Sequence, residues 1–125
     1  MRMGHLILVM LGGALGAGAR YAVGVVLGMR PASFPWATLG VNVVGAFALG
    51  VLMGAIAGNE AAEPWRLLVG VGLLGGFTTF STLAYETLAL AGEGAIALGV
   101  VNMVGTGAIG LVAAGLGMLA GRALA

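Results

Sequence analysis

The residues best placed to do chemistry in this chain lie behind a pair of glycines, in Gly75-Gly76-Phe77-Thr78-Thr79-Phe80-Ser81-Thr82. Glycine and threonine both wind poorly into helix. An interrupted helix in lipid frees carbonyls that can hold a cation and amides that can hold an anion. The ordinary alternative is a continuous helix whose hydroxyls bond back to carbonyls one turn earlier. The Gly-Gly step ahead of the hydroxyl run favours the interruption. Two further polar pairs, Thr38 with Asn42 and Asn102 with Thr106, are spaced four apart, so each shares one helical face. Either pair alone would serve as interhelical glue. Beside the interrupted block they read as the lining of a polar path. Arg20 has two open readings: a side chain that snorkels to the headgroups, or one that raises anion concentration at a vestibule. Glu86 falls one turn from the end of its apolar stretch and is expected to reach the interface as a satisfied helix-end residue. This donor-rich set suits ion recognition and needs no catalysis, so no enzyme is expected.

Other chemistries lack residues. There is no cysteine and a single histidine, His5, which excludes thiolate and paired-histidine metal sites. The charged residues are five arginines and four glutamates with no basic cluster, so no nucleic-acid partner is expected.

Those side chains must be positioned by membrane helices. The chain has 125 residues, of which 61% are hydrophobic and 7% charged, and its mean hydropathy is +1.15. About a quarter of the residues of a soluble domain are normally charged. Four apolar stretches, roughly 3–28, 34–57, 66–90 and 95–121, meet the length of about 20 residues that a bilayer requires. The expected fold is therefore all-α, one transmembrane domain over 1–125, with the third helix broken at mid-membrane. The connections hold Arg30, Pro31 and Ser33, then Asn59, Glu60, Glu63 and Pro64, then Gly92, Glu93 and Gly94. Pro35 and Pro64 stand where helices start, and Trp36 and Trp65 stand at belt positions. Arg2, the apolar run and Ala17-Gly18-Ala19 imitate a signal peptide, but three more spans follow and the first is long enough to cross.

Glycine accounts for 25 residues and repeats at four-residue spacing in Gly12/Gly16, Gly24/Gly28, Gly50/Gly54/Gly58, Gly72/Gly76 and Gly117/Gly121. Such faces let helices approach closely, within the chain and against a second copy. With four spans, Arg2, Arg66 and Arg122 share one side, against Arg30 and, if it leans outward, Arg20 on the other. That is almost no positive-inside bias, so two copies inserted oppositely can pair about an axis in the membrane plane. Such an axis maps only the midplane onto itself, and Thr78 is the midpoint of 66–90.

Taken together, Gly16-Ala17-Gly18-Ala19-Arg20-Tyr21, Thr38-Leu39-Gly40-Val41-Asn42, the Gly75–Thr82 block and Asn102-x-x-x-Thr106 resemble the Fluc/CrcB family of fluoride channels, in the family's order and over essentially the whole chain. The resemblance implies a dual-topology antiparallel homodimer in the cell (plasma or inner) membrane, with two fluoride pores and one central structural sodium. It implies that carbonyls of Gly75 and Thr78 from both copies hold the sodium and that Phe80 turns its ring edge to fluoride. Asn42 and Thr106 would lie near that ring and Arg20 in the vestibule. The rest of the pore lining would come from Thr38, Asn102, Ser81, Thr82 and Leu83. The family usually carries a second phenylalanine where this chain has Leu83, and often a serine where it has Gly110. The chief rival is a transporter of the small multidrug resistance type, also short and four-helical. As that family implies, its mechanism needs a glutamate in the first span, where this chain has only Arg20. A structural subunit packing by glycine faces alone is a second rival.

Overall fold

The computed structural model describes residues 2–28, 30 and 32–125, so Pro31 in the first connection lies outside the described residues. Four helices are long and apolar enough to cross a membrane: Met3–Leu27, Trp36–Ala55, Glu60–Gly92 and Ile96–Leu124. There is no strand among the described residues. The shortest, Trp36–Ala55, has 20 residues. At 1.5 Å per residue that is about 30 Å, the thickness of a hydrocarbon core. The chain is accordingly a multi-pass membrane protein.

The third helix starts earlier than its apolar stretch suggests. The Asn59 side chain accepts from the Ala61 amide at 3.1 Å and seeds a 3₁₀ turn over Glu60–Ala62. Pro64 then sits in the first turn, where its missing N–H costs nothing. Arg66–Leu74 winds more widely, as a π-helix. The third and fourth spans are joined by a tight reversal: Ala95 N donates to Leu90 O at 2.8 Å and Gly94 N to Ala91 O at 3.1 Å. Gly94 supplies the left-handed φ of 85° that this paired helix ending requires.

Packing divides the molecule into two close helix pairs, first with third and second with fourth, bridged where the end of the third span lies on the fourth. Most of the glycine faces are used up here. A methyl at Gly76 would lie 2.7 Å from the Gly13 carbonyl, and one at Gly72 would lie 2.8 Å from the Val9 carbonyl. On the other seam, Gly50 and Gly54 meet the backbone of Ala114 and Met118, while Gly117 and Gly121 meet that of Phe47 and Val51. Gly24, Gly28 and Gly58 differ, having nothing within 4 Å of an added methyl. Spacing alone does not distinguish them; the crossing point of the helices does.

Candidate ion path and helix junction

Helical winding in the third span stops after Phe77 and resumes at Phe80. Thr78 (φ −79°, ψ 158°) and Thr79 (φ −153°, ψ 119°) are extended. Several of the groups freed near the junction meet particular partners. Thr78 turns both its amide (3.0 Å) and its hydroxyl (2.9 Å) back to Leu74 O. Thr79 N donates to Asn42 Oδ1 at 2.7 Å, and Asn42 Nδ2 donates to Thr79 O at 3.0 Å. An N–H can only donate and a carbonyl only accept, so this pairing fixes which way the Asn42 amide points. Thr79 Oγ1 accepts from Thr82 N at 3.2 Å and caps the second arm, Phe80–Gly92. Ser81 is exposed, with its hydroxyl 3.4 Å from that of Thr79.

Arg20 reaches inward. Its Nε donates to Gly76 O at 3.1 Å, so its head is tied to the junction and not released to the surface. The guanidinium retains donors that face a cleft of about 580 Å³ shared with Thr38, Thr79, Thr82 and Glu86. The expectation for Glu86 fails. It is 6% exposed, lies inside the protein and accepts from Thr38 Oγ1 at 2.8 Å, while its Oε2 has no partner among the described residues. A position one turn from a helix end reaches the interface only if the side chain points outward, and this one points at the second span. The interior is therefore not free of carboxyl groups, and Thr38 spends its hydroxyl hydrogen on one. The spacing of Thr38 and Asn42 does place them on one helix, but their partners differ: Glu86 for the first and Thr79 for the second.

A second cleft, of about 320 Å³, lies on the other side of the junction. Asn42 from the second span, Phe80 and Leu83 from the third, and Thr106 from the fourth converge on it. Gly110 lines it too, where an added methyl would meet nothing within 4 Å. Phe80 is 71% exposed in the isolated chain, whereas Leu83 is buried. Behind Thr106 runs a polar ladder. Its hydroxyl points to Asn102 Oδ1 at 3.5 Å, and the fully buried Asn102 donates to Thr87 Oγ1 at 3.2 Å. Thr87 in turn donates to Leu83 O at 2.8 Å. Asn102 is thus a supporting layer behind the cleft. Thr87 was not singled out from the sequence, although its place one helical turn after Leu83 in a hydroxyl-rich arm was the available signal.

Fold and site together define a small multi-pass membrane protein with polar groups converging at an interrupted helix between its spans. The family described as CrcB-like protein, Camphor Resistance (CrcB), matches residues 7–118, and the chain belongs to that family. It is 45% identical over 128 residues to a fluoride-specific ion channel FluC of Thermus thermophilus, covering 98% of each chain. It is 44% identical over 124 residues to the protein of that name in Sphingopyxis alaskensis, again covering 98% of each. A Caulobacter vibrioides protein of the same name is 49% identical over 88 residues, which is 68% of this chain and 69% of that one. This membership displaces the small multidrug resistance reading.

Proposed function

We propose that the chain conducts fluoride passively across the cell membrane, a reading supported by relatives that are named fluoride-specific ion channels. The observation that carries the reading is the meeting of Asn42, Phe80 and Thr106, from three separate spans, on one cleft. Fluoride is small and strongly hydrated, so a path must offer hydrogens in place of water. Asn42 Nδ2 has a second hydrogen beyond the one given to Thr79. Thr106 holds Asn102 only at 3.5 Å, a bond long enough to be surrendered. The rim of a phenyl ring carries positive charge. Thr82 and Ser81 add hydroxyls at the junction, and Arg20 concentrates anions at the entrance. An ionised Glu86 would work against an anion near Thr38, and the Thr38 hydrogen bond would partly offset that charge. Because each unit charge is worth about 2.3 kcal/mol per 100 mV, a negative interior drives the anion outward. The direction of transport is export, and no catalytic step is required.

The junction also fits a resident sodium ion. The helical donors of Gly75 O and Thr78 O are committed elsewhere, Thr79 N to Asn42 Oδ1 and Thr82 N to Thr79 Oγ1, and among the described residues no side chain donates to either carbonyl. Unwound carbonyls of this kind are the groups with which membrane helices bind sodium. Left facing lipid, each would cost several kcal/mol. A second copy related by an axis in the membrane plane, contributing its own Gly75 and Thr78 carbonyls, would cover them, and the cation would relieve their mutual repulsion. With Arg20 turned inward, Arg2, Arg66 and Arg122 stand against Arg30 alone, a bias small enough to allow insertion in both directions. The proposed assembly is an antiparallel homodimer, one transmembrane domain per copy, with two pores and one structural sodium. The test is reconstitution in liposomes loaded with fluoride. Efflux is expected once a potassium ionophore relieves charge build-up, with chloride retained. Equal loss of chloride, or no loss of either ion, overturns the reading.

A further inference from the structure

The two bare carbonyls have a common cause in the bonding around them. In a continuous helix Gly75 O would accept from the amide four residues on, Thr79 N, and Thr78 O from Thr82 N. Both amides are diverted. Thr79 N goes to Asn42 Oδ1 at 2.7 Å, and Thr82 N goes to Thr79 Oγ1 at 3.2 Å. The neighbouring Gly76 O, which also lacks a helical partner, is taken by Arg20 Nε at 3.1 Å. Of these three carbonyls, then, the arginine closes one, and side chains of the second and third spans keep the other two open.

We infer that Asn42 and Thr79 are positioning residues for the cation: they hold away the two amides that would otherwise neutralise the Gly75 and Thr78 carbonyls. The inference rests on the sodium reading given above and extends it. Asn42 touches no cation. It acts through the Thr79 peptide, which it grips at both the N–H and the C=O. The same side chain lines the second cleft and has one amide hydrogen left to give. Cation site and anion cleft therefore share one amide group, and a change in its hold on Thr79 is felt on both sides. Without the Asn42 oxygen, the Thr79 amide is free to return to Gly75 O and rewind the helix by one residue. Without the Thr79 hydroxyl, the Thr82 amide is free to return to Thr78 O.

The test is the thermal unfolding of purified full-length protein in detergent, titrated with sodium against choline and needing no fluoride flux. The parent is expected to show a sodium-dependent rise in Tm. Asn42→Leu and Thr79→Val are expected to need about tenfold more sodium for half of the shift, the factor that one competing hydrogen bond commands. Thr79→Ser, which keeps the hydroxyl, should restore the parental sodium response. If Asn42→Leu yields no folded protein, the comparison of Thr79→Val with Thr79→Ser decides. A parent with no sodium response removes the cation reading and this inference with it. A responsive parent whose Asn42→Leu and Thr79→Val variants respond equally well removes the inference alone.

Discussion

The seam between the second and fourth spans and the junction at Thr78–Thr79 solve opposite problems with the same small residues. Along the seam, Gly50, Gly54, Gly117 and Gly121 remove side chains so that two unbroken helices touch backbone to backbone. Every peptide there is already satisfied by its own helix, and packing adds attraction that lipid cannot supply. At the junction, Gly75 and Gly76 precede a stretch in which the peptides are no longer satisfied internally. Partners arrive from elsewhere: Asn42 from the second span, Arg20 from the first, and Thr79's own hydroxyl. Glycine next to a regular helix makes a rigid wall, and glycine next to an unpaired backbone makes a site.

The sharpest way to break this contrast is to load the seam. A side chain at Gly117 would collide with the carbonyl of Phe47, which cannot move without unwinding the second span. Gly117→Leu is expected to cost about 3 kcal/mol or more, at the upper end of overpacking penalties. Recovery of monodisperse protein by gel filtration is the measurement, and normal recovery would show that the seam is looser than its geometry.

The junction should respond in flux and not in folding. Phe80→Ile keeps most of the apolar volume and should cost under about 1.5 kcal/mol in stability. Losing the ring edge should lower fluoride efflux at least about tenfold, equivalent to about 1.4 kcal/mol. Leu83→Ile, in the same cleft but already aliphatic, should change efflux by less than about twofold, a few tenths of a kcal/mol. Both efflux rates are normalised to folded protein. If the two variants behave alike, Phe80 is packing and the cleft's aromatic edge has no role in passage.

The smallest effect belongs to the contact between second and third spans that the sequence did not reveal. Thr38→Val removes the hydrogen bond to Glu86, leaving that carboxyl with neither oxygen partnered among the described residues. Interhelical bonds of this kind are worth about 0.6 kcal/mol on average and at most about 1.7 in membrane proteins. A fall in Tm consistent with that range is expected, reversed in the double variant Thr38→Val with Glu86→Leu. A single variant as stable as the parent would show that Glu86 finds water or another donor.

Hydropathy determined by itself that four helices cross a membrane, because a run of about 20 apolar residues has no other low-energy home. Its boundaries drifted where polar residues extend a helix beyond its apolar stretch, at Glu60 and again at Leu124. Residue types also marked which groups could meet an ion, since donors and acceptors are a property of the side chain. Partners were another matter. Nothing in the spacing of Thr38 and Asn42 separates a hydroxyl that meets Glu86 from an amide that clasps Thr79. The Gly24/Gly28 pair is indistinguishable in sequence from Gly12/Gly16, yet only the latter lies where another backbone passes. Such contacts join residues 37, 48 and 56 positions apart. Periodicity along one helix is blind at that range, because it is set by local winding. Where two helices cross, and which way each face turns at the crossing, is decided only when the whole bundle packs.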